Sequence, residues 1–311
     1  MSAGAPLRHQ TSGRSRLGLA LALTTVALWS VLPIGLKIAL TGMDALTLTW
    51  YRFVGAGAVL GTILAARGGL PRVAGFDGRL WSLLAVATVF LCGNYVLYVV
   101  GLAHTNAGTA QVVIQLAPLL LAAGGAVVYR EPVGAQQLLG FVTVAVGLLL
   151  FSHEQIAHLM SDLDRYYRGL AAIVLAAVSW ALYGLAQKQL LVRLRSPQVL
   201  LCLYVGGALL FAPFATPSSL LALSGTEILA FLFCVANMLI AYGTFVEALV
   251  HLEASRVSAV LAMVPLSTLA AIAAARVVMP DLVAPEPLTG PAVAGAAMVV
   301  AGSLAAALRR S

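Results

Sequence analysis

The sequence is dominated by apolar runs of about 18 to 25 residues that are separated by short polar breaks. A helix rises about 1.5 Å per residue, so each run can cross the hydrocarbon core of a bilayer, which is about 30 Å thick. An open sheet would leave backbone groups unpaired in lipid, so we expect helices. The runs predict an all-α integral membrane protein with ten transmembrane helices: Leu17–Ala39, Ala45–Ala66, Leu80–Ala103, Ala107–Tyr129, Gly134–Phe151, Gly169–Leu191, Gln198–Thr216, Glu227–Leu249, Ala254–Val278 and Leu288–Leu308.

The composition argues against a soluble globular protein. Of the 311 residues, 61% are hydrophobic and 9% are charged, whereas a soluble domain carries about 25% charged residues. The first predicted span is too long for the core of a signal peptide, so we expect it to remain in the mature protein.

The net charge of +7 does not indicate nucleic acid as a partner, because nucleic-acid-binding proteins gather Lys and Arg into a patch on a soluble face. Ten spans that start from a cytoplasmic N-terminus place twelve arginines on the inner side and three outside. The inner set is Arg8, Arg14, Arg16, Arg67, Arg72, Arg79, Arg130, Arg193, Arg195, Arg256, Arg309 and Arg310, and the outer set is Arg165, Arg168 and Arg276. This asymmetry predicts a multi-pass protein of a bacterial-type inner membrane with both termini in the cytoplasm.

An internal repeat is the most specific signal in the chain. Trp29 precedes Lys37 by eight residues, and Trp180 precedes Lys188 by eight residues at an offset of 151. The other matches are Val54-Gly55 with Val205-Gly206; Tyr95, His104, Ala107 and Pro118 with Tyr242, His251, Ala254 and Pro265; and Glu131-Pro132, Gly140 and Gly147 with Glu286-Pro287, Gly295 and Gly302.

The number of spans in each half determines the relative direction of the two copies. Each half holds five predicted spans, and because five is odd, the second copy enters the membrane from the opposite side. The pattern therefore predicts two inverted five-helix repeats around a central cavity, which is typical of transporters. The predicted organisation is a cytoplasmic tail 1–16, a first repeat 17–151, an external linker 152–168, a second repeat 169–308 and a tail 309–311.

Several of these features resemble a known family. The five-plus-five arrangement, the Arg52-Phe53 pair, the run Ala107–Pro118, and Glu131-Pro132 leading to Gly140 and Gly147 resemble the EamA-type exporters of the drug/metabolite transporter superfamily. The third and fourth spans and the loop between the halves are similar to bacterial aromatic amino acid exporters of the YddG kind. The second half departs from the family pattern around Ala274–Pro285, where a longer Pro-rich link occurs. The resemblance implies an exporter of small metabolites, amino acids including aromatic ones foremost, that works by alternating access.

Polar and aromatic side chains at membrane depth are candidates for contact with a solute, because such groups are costly in lipid and face the bundle interior. Trp29 and Trp180 lie mid-span at equivalent positions, and an indole offers a stacking face and one N–H donor. The other substrate-binding candidates are Asn94, Tyr95, Tyr98, Gln111, Gln115, Asn237 and Tyr242. Helix packing and helix-to-helix hydrogen bonding would also explain these residues, and the sequence leaves both interpretations open.

Three prolines and two charged residues complete the candidate set. Pro33, Pro118 and Pro265 interrupt backbone hydrogen bonding inside their spans, so each is a candidate gate or a static kink. Arg52 is the deepest charge, and it serves either as a structural hydrogen-bond hub or as a contact for a substrate carboxylate. Glu247 is the only carboxylate well within a span. Because titratable groups are scarce, we expect transport to be facilitated or weakly coupled to protons.

No enzymatic chemistry is indicated. His153 and His158 are five residues apart, which places them about 140° apart around a helix instead of on one zinc-binding face. Cys92, Cys202 and Cys234 lie in apolar segments and predict no metal site or disulfide framework. We therefore expect no catalytic residues, no metal and no cofactor, with a small molecule and the bilayer as partners and a bundle that can function as a monomer. Two alternatives stay open: a carrier of nucleotide sugars or other phosphorylated metabolites, and a non-transporting membrane scaffold.

Overall fold

The computed structural model describes residues 14–129, 134–158, 163–252, 257, 260–281 and 289–307. All regular secondary structure in these ranges is helical. The α-helices are α1 (Ser15–Ala39), α2 (Ala45–Ala66), α3 (Gly78–His104), α4 (Ala107–Val113), α5 (Leu116–Tyr129), α6 (Ala135–His158), α7 (Leu163–Leu190), α8 (Ser196–Phe211), α9 (Gly225–His251), α10 (Val264–Val278) and α11 (Gly290–Ala307). The matched pairs Glu131-Pro132 and Glu286-Pro287 lie outside the described residues.

The helices are apolar enough for a membrane protein. Seven helical segments in the described ranges are long and apolar enough to cross a bilayer: Ser15–Ala39, Ala45–Ala66, Gly78–His104, Ala107–Gly125, Leu163–Leu190, Ser196–Phe214 and Gly225–Phe245. Three further apolar helices are shorter: Ala135–Phe151, Val264–Val278 and Gly290–Ala306. Between the halves, α6 continues to His158 and α7 begins at Leu163, so both helices extend into the segment 152–168.

Side-chain caps define several helix starts. Asp44 accepts hydrogen bonds from the backbone N–H groups of Leu46 and Thr47, both at 2.9 Å, and thereby caps α2. Asp77 caps α3 in the same way. Such caps satisfy N–H groups that have no partner within the helix. Ser224 and Glu227 form a reciprocal capping box at the start of α9.

Two of the predicted spans are broken. The segment 107–129 divides into α4 and α5 at a turn formed by Ile114 and Gln115, and α10 begins after a turn at Ala262 and Met263. A proline follows each turn by a few residues. Pro118 has no N–H to donate to the Ile114 carbonyl, which instead accepts from Ala117 at 2.9 Å. Proline is tolerated in the first turn of the helix that follows. Pro33, by contrast, lies buried inside the continuous helix α1.

Two antiparallel helix pairs, α1 with α9 and α3 with α7, connect the two halves of the chain. In the first pair the amide nitrogen of Asn237 donates to the Leu28 carbonyl at 2.7 Å. In the second the amide nitrogen of Asn94 donates to the Ala176 carbonyl at 2.9 Å. These bonds cross from one half to the other inside the bundle, so the halves share one interior.

A third antiparallel pair, α6 with α11, is held by a seam of glycines, which we call the glycine seam: Gly140, Gly147, Gly295 and Gly302. A Cβ atom added at Gly140 would lie 2.6 Å from the Gly302 carbonyl oxygen. One added at Gly147 would lie 2.7 Å from the Gly295 carbonyl oxygen. The two backbones are therefore in direct contact, as is common where small residues line a membrane helix interface.

Candidate substrate site

Arg52 is the most unusual side chain in the bundle. It lies seven residues from the start of α2, about 10 Å along the helix axis, and only 3% of its surface is exposed. Its Nε atom is buried and has no hydrogen-bond partner. The contact that the structure gives its guanidinium is with the ring of Tyr95, whose centroid lies 5.0 Å from Cζ. No acidic group of the described residues pairs with this buried guanidinium, which is unusual because buried charges are normally paired.

Tyrosines from three helices lie around this guanidinium. Tyr95 and Tyr98 come from α3, Tyr204 from α8 and Tyr242 from α9, and all four lie within electrostatic range of the Arg52 charge. The hydroxyl groups of Tyr95 and Tyr242 are also close enough to interact. We call these five residues the Arg52 cluster. It joins both halves of the chain within the membrane-spanning region.

Trp29 extends the cluster toward α1. Its ring centroid lies 5.6 Å from that of Tyr242 in an edge-on arrangement and 5.8 Å from that of Phe245. Aromatic pairs at these distances and angles attract each other. Trp29 and Tyr242 are both only half-buried, so the rings retain surface that can contact a solute.

Gln111 joins the cluster through Tyr98. The Tyr98 hydroxyl donates to the Gln111 side-chain oxygen at 3.0 Å, which connects α3 to the short helix α4. Gln115 is half-buried in the turn between α4 and α5. The sequence candidates Tyr95, Tyr98, Gln111, Tyr242 and Trp29 are therefore connected in one region of the bundle, beside a discontinuous helix.

The remaining candidates lie elsewhere or have other partners. Asn94 and Asn237 each donate to a backbone carbonyl of a neighbouring helix, which is helix-to-helix bonding. Trp180 is half-buried and packs against the apolar cluster that contains Tyr95 and Tyr183. Glu247 is 57% exposed near the end of α9, where it faces His251 at 3.3 Å.

Sequence reasoning missed Phe53 and Tyr204. Phe53 is fully buried, and its ring lies 5.2 Å from that of Tyr95 and 6.0 Å from that of Tyr204. A signal was available, because Phe53 and Tyr204 are 151 positions apart, the same offset that relates Val54-Gly55 to Val205-Gly206. Both residues are aromatic at equivalent places in the repeat, and they meet on the paired helices α2 and α8.

Contacts between the halves also occur at both ends of the bundle. At the end where α3 begins, Arg193 donates to both carboxylate oxygens of Asp77 at 2.8 and 2.7 Å. These bonds, with the Leu80 N–H, hold the pKa of Asp77 below its ordinary value. At the end where α9 begins, the Thr41 hydroxyl donates to Glu227 at 2.7 Å.

A surface cavity of about 400 Å³ lies beside the Asp77–Arg193 contact. It is open to the surroundings, and its lining includes Gly69, Phe76 and Gln198. None of the residues of the Arg52 cluster lines it. The cavity therefore belongs to the loop region at one end of the bundle and is separate from the cluster.

Comparison with known proteins identifies the family. The model of the EamA-like transporter family matches residues 16–153 and again residues 167–308. The chain belongs to the EamA-like transporter family. Members of this family are transporters, and this chain is accordingly a multi-pass membrane transporter with two EamA units, one in each half. The Arg52 cluster takes residues from both units.

Two relatives agree with the EamA assignment. The "Uncharacterized inner membrane transporter YhbE" of Escherichia coli K12 is 35% identical over 293 residues, covering 94% of this chain and 91% of its own. The "Uncharacterized transporter" of Haemophilus influenzae is 34% identical over 293 residues, covering 94% and 95%. Both relatives are named as transporters, and the name of the Escherichia coli relative supports an inner-membrane location for this EamA protein.

A solved structure shares the fold. A protein described as "Crystal structure of protein" superposes with a TM-score of 0.61 and 21% sequence identity, covering 93% of this chain and 96% of that chain. At this identity the likeness concerns the EamA fold alone. It says nothing about the solute.

Proposed function

We propose that this EamA protein exports amino acids, including aromatic ones, across the inner membrane by alternating access. The observation that carries the proposal is the Arg52 cluster with its neighbour Trp29. This group combines aromatic faces, hydroxyl groups and a positive charge in the middle of the bundle, between the two halves. Ligand sites are mostly apolar with a few placed polar groups, and this composition suits a small solute with a ring and a charged end.

Ten spans in two inverted repeats are part of the proposal. The pairing of α1 with α9 has its equivalent in the pairing of α3 with α7. At the end of the first pair, a Cβ atom added at Gly18 would lie 2.8 Å from His251 Cβ. In the second pair the same distance separates a Cβ atom at Gly169 from His104 Cβ. Gly18 and Gly169 differ by 151 positions, and His104 and His251 by 147, so equivalent contacts support the repeat.

The end contacts support alternating access. Asp77 pairs with Arg193 at one end, and Thr41 with Glu227 at the other, and both contacts join the first half to the second. A carrier that exposes its site to one side at a time must release one set of contacts while the other holds. Lys and Arg are concentrated in the loops at the end where α1 begins, so we assign that end, with both termini, to the cytoplasm.

Phosphorylated solutes are the principal alternative. A nucleotide sugar carries several negative charges, and its recognition calls for several cations or helix N-termini in the site. Within the described membrane-spanning helices, Arg52 is the cation that lies among the tyrosines of the cluster, whereas Lys37 donates to the Thr105 carbonyl at 2.5 Å near the end of its helix. A single cation favours a solute with one negative group.

Uptake into proteoliposomes tests the function. The purified chain is reconstituted, and entry of labelled phenylalanine or tryptophan is measured with unlabelled amino acids or a nucleotide sugar as competitors. We expect saturable uptake that amino acids inhibit and that Trp29→Ala lowers. Trp81→Ala is the matched control, because Trp81 is 51% exposed near the start of α3 and far from the cluster. Inhibition by the nucleotide sugar and not by amino acids would replace amino acids with phosphorylated metabolites as the substrate class. A complete lack of uptake of both amino acids and nucleotide sugars would favour a non-transporting scaffold.

A further inference from the structure

No carboxylate in the described part of the chain pairs with the Arg52 guanidinium. The carboxylate-bearing residues in the described ranges all lie in loops or within a few residues of a helix end: Asp44, Asp77, Glu154, Asp164, Glu227, Glu247 and Asp281. Arg52, in contrast, lies about 10 Å inside α2. Among these carboxylates, Asp77 pairs with Arg193 and Glu247 with His251.

An uncompensated buried cation is costly. Arginine keeps its proton inside proteins, so burial cannot be relieved by losing the charge. Removing a guanidinium from water without a partner carries a large desolvation cost. The ring face of Tyr95 offsets a part of this cost but brings no negative charge. A residue held in this state is poised to accept an anion.

We propose that Arg52 is the receptor for the carboxylate of the transported solute, and that the solutes are monocarboxylates with an aromatic or apolar group in which the amino group is dispensable. The inference rests on the proposed function and specifies its substrate class. The planar fork of a guanidinium matches a carboxylate with two parallel hydrogen bonds. The rings of Tyr95 and Tyr98 and the nearby Trp29 supply the surface for the apolar part of the solute.

The amino group of an amino acid would have a weaker hydrogen-bond partner in this region than the carboxylate has in Arg52. Three buried polar atoms of the described side chains lack a hydrogen-bond partner: Arg52 Nε, Asn237 Oδ1 and Ser303 Oγ. Of these three atoms, the acceptor nearest in sequence to a residue of the cluster is Asn237 Oδ1, on α9 with Tyr242, and it is neutral. The bond between a guanidinium and a carboxylate joins two opposite charges through two parallel hydrogen bonds, whereas an ammonium group would meet a neutral acceptor here. Loss of the carboxylate should therefore weaken binding far more than loss of the amino group.

Three solutes of matched size test this order. Phenylalanine carries both groups, 3-phenylpropionate carries only the carboxylate, and phenethylamine carries only the amine. Each is used to inhibit uptake of labelled phenylalanine, and binding of each to the purified protein in detergent is followed by its effect on the melting temperature. We expect 3-phenylpropionate to bind within about tenfold of phenylalanine, and phenethylamine to bind at least about tenfold more weakly. Equal competition by phenethylamine and 3-phenylpropionate would overturn the proposal.

Variants of Arg52 identify the residue. R52Q should weaken 3-phenylpropionate binding at least about tenfold, and R52K should weaken it less because it keeps the charge but loses the fork. R67Q is the control, since Arg67 caps the other end of the same helix and should bind as the original chain does. Unchanged binding of 3-phenylpropionate by R52Q would overturn the assignment.

Stability of the empty protein gives an independent readout. Because no carboxylate of the described residues pairs with Arg52, R52M should melt at a higher temperature than the original chain when no solute is present. A lower melting temperature would show that Arg52 stabilises the empty bundle, which contradicts a receptor without a partner. If the original chain binds 3-phenylpropionate through Arg52 but carries no phenylalanine, the proposed transport fails while the receptor stands. If it carries phenylalanine and R52Q does so equally well, the receptor fails while transport stands.

Discussion

Substitution of Gly147 by alanine should separate the helices α6 and α11. The added Cβ atom would lie 2.7 Å from the Gly295 carbonyl oxygen and 2.9 Å from Val299 N and Met298 Cβ. Ordinary contacts of a Cβ atom begin at 3.4 Å, so the backbones must move apart by about 0.7 Å. Because the obstacles are largely backbone atoms, no side-chain rotation can relieve them.

The expected loss of stability follows from this displacement. Overpacking of a tight interface typically costs about 1–3 kcal/mol. We therefore expect Gly147→Ala to lower the free energy of unfolding by about 2 kcal/mol or more. The measurement is equilibrium unfolding of the purified protein in mixed micelles, followed by the fluorescence of its tryptophans.

The control and the partner substitution make the test specific. Gly243 lies inside α9, and a Cβ atom added there would contact nothing within 4 Å, so Gly243→Ala should leave stability unchanged or raise it by up to about 1 kcal/mol through the higher helix propensity of alanine. Gly295 faces Gly147 directly, so the double substitution should cost less than the sum of the two single ones, because the first already separates the helices. Equal stabilities for Gly147→Ala and Gly243→Ala would refute the reasoning.

Three further predictions concern single side chains. Asp77→Asn keeps the cap of α3 but removes the charge that faces Arg193. The pKa of Asp77 is lowered in the folded protein. The stability that the Asp77 charge contributes is therefore present above the unfolded-state pKa and disappears as the pH falls through the folded-state pKa. The stability difference between the two proteins should therefore vanish in acid, as an unfolding series against pH would reveal; a difference that persists there contradicts the ion pair. Tyr98→Phe removes the hydroxyl that donates to Gln111 and should lower the free energy of unfolding by about 1 kcal/mol, whereas no change in denaturant unfolding would mean that solvent replaces this bond. Glu247→Gln alters an exposed carboxylate outside the Arg52 cluster, so uptake and its response to a pH gradient should stay as in the original chain; loss of that response would instead indicate proton coupling through Glu247.

Local pattern and spacing explain which features were predictable. The apolar runs predicted the long helices because the length needed to cross a bilayer is read directly from consecutive residues. The same apolar runs predicted that Trp29, Tyr95 and Tyr242 lie inside the membrane helices. Pro118 and Pro265 were expected to interrupt backbone hydrogen bonding as gates or kinks, but the sequence did not predict that each span divides at a turn before the proline. A proline indicates a lost backbone hydrogen bond. Whether the helix continues through the proline, as α1 does at Pro33, or divides depends on the neighbouring turns.

Partners across the bundle could not be predicted from one sequence. The equivalence of Gly140 with Gly295 and of Gly147 with Gly302 was visible as a repeat, but their contact, Gly140 with Gly302 and Gly147 with Gly295, depends on the antiparallel packing of α6 with α11. Asn94 and Asn237 illustrate the same limit, because the sequence could not decide between a solute and a carbonyl of the next helix.

One sequence was sufficient to predict a helical membrane protein with a repeated half and one deep arginine. Those properties depend on composition, on the length of apolar runs and on spacing along the chain. The packing of the helices, in contrast, places Arg52 among tyrosines from α3, α8 and α9 without a carboxylate partner in the described residues. Spacing along the chain could not show this, because the cost of a buried charge depends on which groups surround it, and those groups come from residues more than a hundred positions apart.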